Sequence, residues 1–230
     1  RDITFELREG EVLGIAGLVG SGRSEVGAAL FGLDRWVSGS VELCGRAMAP
    51  TSPRAAMRAG VGLLPEDRKT QGLMMQMSVR ENATVSMLAR WARAGVVSLR
   101  DESAEAGQAL QRTRVKAAAP EAVVSSLSGG NQQKVLFSRW LMADPPVLFL
   151  DDPTRGVDVG AKIEIYRLIG QLLQDGAAVI MFSSELPEIL HIADRVAVLF
   201  RGSIVLEKAA AETDADELLM YALKGEASEL

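Results

Sequence analysis

The sequence predicts an α/β fold built on a mixed sheet, with an antiparallel meander near its start and a small helical lobe inserted in its middle. Three observations carry that expectation. The apolar run Val12-Leu13-Gly14-Ile15-Ala16 leads into a glycine-rich loop, and an apolar-periodic helix through Val26, Leu30 and Phe31 follows. A second run, Val147-Leu148-Phe149-Leu150, is bounded by Pro145-Pro146 and ends in Asp151-Asp152, as a buried parallel strand would that delivers an acid at its C-terminal edge. Between the two, from Ser78 to about Ala143, the composition turns helical.

The elements follow in order. Ile3, Phe5 and Leu7 alternate with polar residues and read as a strand, turned at Gly10 into the buried run from Val12. Ser40 to Leu43, punctuated by Gly39 and Gly45, continue an antiparallel meander. Residues 50–60 suggest a short helix, and Val61 to Leu64 a short strand running into Pro65-Glu66-Asp67-Arg68-Lys69. Ser78 with Glu81 in the first turn marks a helix start. The preceding Met74, Met75 and Met77 suit either a partner-helix groove or lobe core. Residues 100–122 are charged and alanine-rich and read as an exposed helix and linker. The turn Leu127-Ser128-Gly129-Gly130-Asn131-Gln132-Gln133 opens a helix carrying Val135, Leu136, Phe137, Trp140 and Leu141. After an apolar-periodic helix through Ile163 to Leu172, residues 177–182 form a core strand ending in Ser183-Ser184-Glu185. A helix around Leu186–Ala193 carries the lone His191, read as surface or satisfied core. A hairpin-like pair (196–200 and 204–206) and a helix over 214–223 close the chain.

Composition narrows the function classes. A formal net charge of −5 argues against nucleic acid as a partner, which would call for a basic footprint. One cysteine, Cys44, excludes an internal disulfide framework and reads as a small buried apolar residue. No apolar run approaches the roughly 18–20 residues of a bilayer span, so a membrane role needs a separate embedded partner. The start at Arg1, already strand-like, suggests a fragment of a longer chain.

Residues 17–24, Gly-Leu-Val-Gly-Ser-Gly-Arg-Ser, keep the spacing of the phosphate loop G-x-x-x-x-G-K-[ST] with Arg23 in the lysine place. Gly17, Gly20, Ser21 and Gly22 would present backbone N–H groups and a helix N-terminus to an anion. Arg23 pairs with phosphate oxygens as a wide planar fork, not a compact ammonium. Ser24 supplies the hydroxyl that would meet Mg²⁺.

Together with Ser-Val-Arg-Glu-Asn (78–82), Pro-Thr-Arg-Gly-Val-Asp-Val-Gly-Ala-Lys (153–162) and Ser-Ser-Glu-Leu-Pro-Glu (183–188), these stretches resemble an ABC-type ATPase over nearly the whole chain. More narrowly, the chain is similar to the second of two tandem ABC domains in the ATP-binding subunit of bacterial monosaccharide importers (ribose, xylose or galactose type). The resemblance implies a P-loop NTPase fold with a RecA-like core. It implies one ABC domain over 1–230, with core lobe 1–77 and 144–230 and a helical signature lobe over 78–143. It implies ATP and Mg²⁺ as cofactors, a second ABC domain and a transmembrane permease as partners, a sugar-binding protein as an indirect one, and a peripheral place on the cytoplasmic face of the inner membrane. Asp151 would join Ser24 around the metal. Ser128, Gly129 and Gly130 would cap the γ-phosphate held by the partner domain, and Asp158 would lie in the loop linking the two sites.

Departures from the family pattern shape the functional expectation. Asp152 stands where the catalytic Glu is usual, one methylene shorter, Ser184 where the switch His is usual, and Glu66 where a Gln bridges metal site and membrane partner. Arg23, Asp152 and Ser184 weaken this domain's own site, whereas the signature turn that serves the other site is intact. The expected role is therefore asymmetric: slow turnover here, completion of a competent site next door. The alternatives are a nucleotide-binding regulatory half without useful turnover, and an ABC ATPase of DNA repair, which would need a long coiled coil between the two motifs.

Overall fold

The computed structural model describes residues 3–35 and 38–225. Strand β1 (Val12–Ala16) is buried at every position, as its unbroken apolar run requires. Helix α1 (Arg23–Leu30) starts behind Gly22, whose φ of 106° is open to glycine without steric cost. Strands β2 (Val41–Leu43) and β3 (Arg46–Met48) pair antiparallel as a small sheet of their own. Helix α2 (Pro53–Ala59) has Ser52 accepting the Ala55 N–H and proline in its first turn. Strand β4 (Val61–Leu64) follows. Helix α3 (Val79–Thr84) opens with a full capping box, Ser78 with Glu81. A two-residue hairpin, β5 (Ala92–Arg93) and β6 (Val96–Val97), precedes helix α4 (Leu99–Arg112). Helix α5 (Gly129–Ala143) and strand β7 (Val147–Asp151) come next, then helix α6 (Val159–Gln174) and strand β8 (Ala178–Phe182). Helix α7 (Leu186–Ile192), strands β9 (Arg195–Phe200) and β10 (Ser203–Ala209), and helix α8 (Ala215–Lys224) complete the described chain.

The main sheet runs β10-β9-β1-β8-β7-β4. β1 lies parallel to both β8 and β9, β7 is parallel to β8, and β10 returns antiparallel along β9, so the sheet is mixed as expected. Leu13, Ile15, Leu148, Leu150 and Phe182 are essentially inaccessible, and the Phe149 and Phe182 rings stack with centroids 6.4 Å apart. The chain divides into two compact units: Arg1–Leu63 with Pro145–Pro153 and Leu173–Leu230, and Leu64–Asp144 with Thr154–Leu172. The first holds the sheet. In the second, the α5 residues Val135, Leu136 and Phe137 are fully buried.

Three local readings are corrected. Residues 3–7 keep the in–out alternation but form no strand, because no ladder partner among the described residues takes up their backbone. The meander is therefore reduced to the β2–β3 hairpin. Residues 99–112 are not simply exposed: α4 buries Glu102, Ala106, Ala109 and Leu110, its alanines allowing close approach. Within that buried face Glu102 accepts from Arg80 Nη1 at 2.5 Å and Thr84 Oγ1 at 2.6 Å. Cys44 is exposed, in the β2–β3 turn at φ 49°, because a two-residue turn leaves its side chain no interior to enter.

Candidate functional site

The expected site residues fall into two groups, one in each unit. In the first, β1, β8 and β7 are adjacent and parallel, so their C-terminal ends share one sheet edge. That edge carries Gly17 after β1, Ser183-Ser184 after β8 and Asp151-Asp152 at the end of β7. Open α/β sheets accept ligands at the C-terminal ends of their strands.

The 17–22 loop is held at several points. A Cβ on Gly17 would lie 2.5 Å from Ser21 Oγ and 2.7 Å from the Leu199 carbonyl, so only glycine fits. Gly20 and Gly22 have φ of 82° and 106°. The Gly202 N–H donates to the Ser21 carbonyl at 2.9 Å, tying the loop to the β9–β10 turn. Ser21 Oγ and Arg23 Nη1 are buried with no partner. Buried donors of this kind are rarely left unmatched, and phosphate oxygens are acceptors of the right charge for them.

The Ser24 hydroxyl interacts with Asp151, the buried acid ending β7. Burial pushes the Asp151 carboxyl above its ordinary value; the Ser24 hydrogen bond opposes this and the neighbouring Asp152 charge adds to it. The pair places a hydroxyl and a carboxylate together, hard oxygen donors of the sort Mg²⁺ takes. Among the described residues no group of three or more His, Cys, Asp and Glu could hold a metal. A divalent ion at Ser24 and Asp151 would draw its remaining ligands from phosphate and water, the usual habit of Mg²⁺.

Arg23, Asp152 and Ser184 lie together at this edge. Asp152 has a left-handed backbone, φ 43°. Its Oδ1 accepts from the Ser184 N–H at 2.8 Å and the Ser184 hydroxyl at 3.1 Å, while Oδ2 lies 4.0 Å from Arg23 Nη2. Oδ1 is thus hydrogen-bonded and Oδ2 sits in a loose ion pair, with Arg23 and Asp152 each about nine-tenths buried. Ser183, fully buried, donates to Glu188 at 2.6 Å and fixes the turn that presents Ser184.

The second group comprises Glu66, Ser128, Gly129, Gly130 and Asp158. Ser128 caps α5, accepting from the Asn131 side chain at 2.9 Å, and remains exposed. Gly130 is buried: a Cβ there would lie 2.6 Å from the Ala161 Cβ. Asp158 caps α6, accepting the Ala161 N–H at 3.0 Å. The Glu66 carboxylate is paired with the Arg155 guanidinium. Sequence reasoning gave Arg68 no role. Its Nη1 donates to the Arg155 carbonyl at 2.7 Å and its Nη2 to the Gly156 carbonyl at 3.1 Å. The charged run at 66–69 was the available signal, but a partner some 90 positions away leaves no local periodicity.

Comparison with known proteins bears on the family and the fold. A family profile described as ABC transporter matches residues 1–155. The ribose import ATP-binding protein RbsA 2 of Streptomyces avermitilis is 47% identical over 230 residues, 99% of this chain and 45% of that protein. RbsA of Chromobacterium violaceum is 52% identical over 200 residues, 87% of this chain and 40% of that protein. The chain thus spans less than half the length of these curated relatives. Among solved structures, a nucleotide-free ATP-binding cassette from an ABC transporter superposes with a TM-score of 0.81 at 20% identity, covering 95% of this chain and 90% of that one. A dimeric cassette in a post-hydrolysis state, bound to ADP and Pi, gives 0.78 at 21% identity, covering 91% and 90%. With the phosphate-loop edge, the signature turn and the fold in agreement, this chain belongs to the ABC transporter family.

Proposed function

We propose that this chain is the second of two tandem ABC domains in the ATP-binding subunit of a monosaccharide importer, and that its own nucleotide site turns over slowly. The import role is supported by relatives named for ribose import and, in Agrobacterium fabrum, for ribose/galactose/methyl galactoside import, the latter 50% identical over 204 residues. The partners would be a first ABC domain, a transmembrane permease and, indirectly, a sugar-binding protein. Its place would be peripheral, at the cytoplasmic face of the membrane. No helix among the described residues is long and apolar enough to cross a membrane, which fits a separate permease.

The observation that carries the slow-site reading is the Arg23–Asp152–Ser184 chain of contacts. A base must reach the water it orients. Asp152 is shorter than the usual Glu, commits Oδ1 to Ser184, and has Oδ2 facing Arg23 at 4.0 Å. Ser21 and Arg23 would hold phosphates, with Ser24 and Asp151 as ligands of Mg²⁺. The ion would supply charge neutralisation between phosphates. Glu66 would be free to take a metal or a water only by leaving Arg155.

Ser128, Gly129 and Gly130 would serve the first ABC domain's ATP through backbone N–H groups and the N-terminus of α5. In the assembled transporter, Ser128→Ala combined with Gly129→Val should nearly abolish ATP hydrolysis, whereas Asp152→Asn should barely change it. Equal damage from Asp152→Asn overturns the asymmetry.

A further inference from the structure

Arg68 sits at the junction of three segments of the second unit. Asp67 holds its position: Oδ1 accepts the Lys69 N–H at 2.9 Å and Oδ2 the Thr70 hydroxyl at 2.7 Å, which pins the 68–72 turn. From there the Arg68 fork grips the Arg155 and Gly156 carbonyls. Its Nη2 also lies 2.6 Å from where a Cβ on Gly129 would stand, so the guanidinium packs against the bare α-carbon of the signature turn. The Gly156 carbonyl lies 3.1 Å from that same point. Glu66 adds a second hold on the loop through the Arg155 side chain. Two residues beyond Gly156, Asp158 caps α6, whose Ala161 abuts Gly130. The signature turn is therefore packed at both its glycines, Gly129 against Arg68 and the Gly156 carbonyl, and Gly130 against Ala161 of α6.

We propose that Arg68 is a positioning residue that locks the signature turn to the 155–158 loop, so that Ser128–Gly130 and Asp158 are presented to the neighbouring domain's nucleotide as one block. This rests on the reading that the signature turn serves that neighbour. The chemistry suits the task. A planar fork spans two adjacent carbonyls while its Nη2 end rests beside a glycine, which a lysine ammonium does not do. Gly129 matters here for the room it leaves beside its α-carbon as well as for its N–H. The lock is local, so its loss should leave both units folded.

Arg68→Gln and Arg68→Lys test the proposal by amide hydrogen exchange on the whole chain and ATP hydrolysis in the assembled transporter. In both variants, exchange at 127–131 and at 155–158 should rise together by about tenfold or more, as loss of charge-assisted hydrogen bonds implies. The melting temperature should stay within a few degrees of the parent. Turnover should fall roughly 10- to 100-fold, the scale of a displacement near 1 Å, with KM for ATP within about twofold because the phosphate loop is untouched. Full activity in Arg68→Lys, or faster exchange at 155–158 with the signature turn unchanged, overturns the lock. Gly129→Val separates the two ideas. If it abolishes turnover while Arg68→Gln does not, the lock is wrong and the functional reading stands. If it leaves turnover intact, the functional reading is wrong, and the exchange data still judge the lock.

Discussion

Gly17→Ala tests how the phosphate loop is held. The added Cβ would meet Ser21 Oγ at 2.5 Å and the Leu199 carbonyl at 2.7 Å. The serine can rotate away. Leu199 cannot, because it lies within β9, between β1 and β10. Ordinary contact begins at 3.4 Å, which leaves about 0.7 Å for the loop to give. Overpacking of this kind costs about 1–3 kcal/mol, or a fall of roughly 2–12 °C in melting temperature for a chain of this size. The same movement draws backbone N–H groups off the phosphate. Each hydrogen bond to a charged group is worth about 1.5–3 kcal/mol, so losing one should weaken nucleotide binding by roughly 10- to 150-fold. Titration with a fluorescent ATP analogue, alongside a thermal melt, measures both. Gly20→Ala is the control: its Cβ would meet nothing within 4 Å, and only the left-handed backbone, φ 82°, resists it, at about 1–2 kcal/mol. It should lower the melting temperature yet keep affinity within about tenfold. If Gly17→Ala melts early but binds as tightly as the parent, the loop's seat on β9 does not govern affinity and the reasoning fails.

Two further outcomes follow from the same geometry. Burial holds the Asp151 carboxyl above its ordinary value, so the folded chain binds this proton more tightly than the unfolded one, and the ionised group opposes folding at neutral pH. Asp151→Asn should therefore raise the melting temperature near pH 7 without nucleotide, with the gain vanishing as pH falls toward the ordinary value of 3.8, and should weaken Mg²⁺-dependent nucleotide binding. A gain that grows on acidification would contradict this. Gly130→Ala drives its methyl against Ala161, on a helix, whereas Gly129→Ala meets chiefly a side-chain end, the Arg68 guanidinium, with the Gly156 carbonyl at 3.1 Å. The first should lose about 1–3 kcal/mol in urea denaturation and the second less, with turnover of the assembled transporter falling in both; the reverse stability order would refute the packing argument.

What the sequence discloses is mostly what is local. The apolar runs at 12–16 and 147–150 and the glycine spacing at 17–24 announce two strand ends and an anion loop, because burial on both faces and tight turns leave marks in consecutive residues. That β8 lies between β1 and β7, bringing Ser184 to Asp152, is a matter of long-range pairing and has no mark in either strand alone. The approach of Arg23 to Asp152 was equally hidden, since the two stand far apart in sequence. Residues 3–7 show the opposite failure, since alternation describes a half-buried extended segment whether or not a neighbour completes its ladder. Arg68 was readable as charge and not as a fork, because its acceptors are backbone carbonyls, which any sequence supplies.

The exposed thiol at the β2–β3 turn has a practical consequence. Cys44 is the only cysteine in the chain, and its side chain is open to solvent. A maleimide dye or spin label would therefore attach at one defined point with no background mutations. It would report from a hairpin that belongs neither to the main sheet nor to the signature turn, so the parent protein can serve as its own spectroscopic probe.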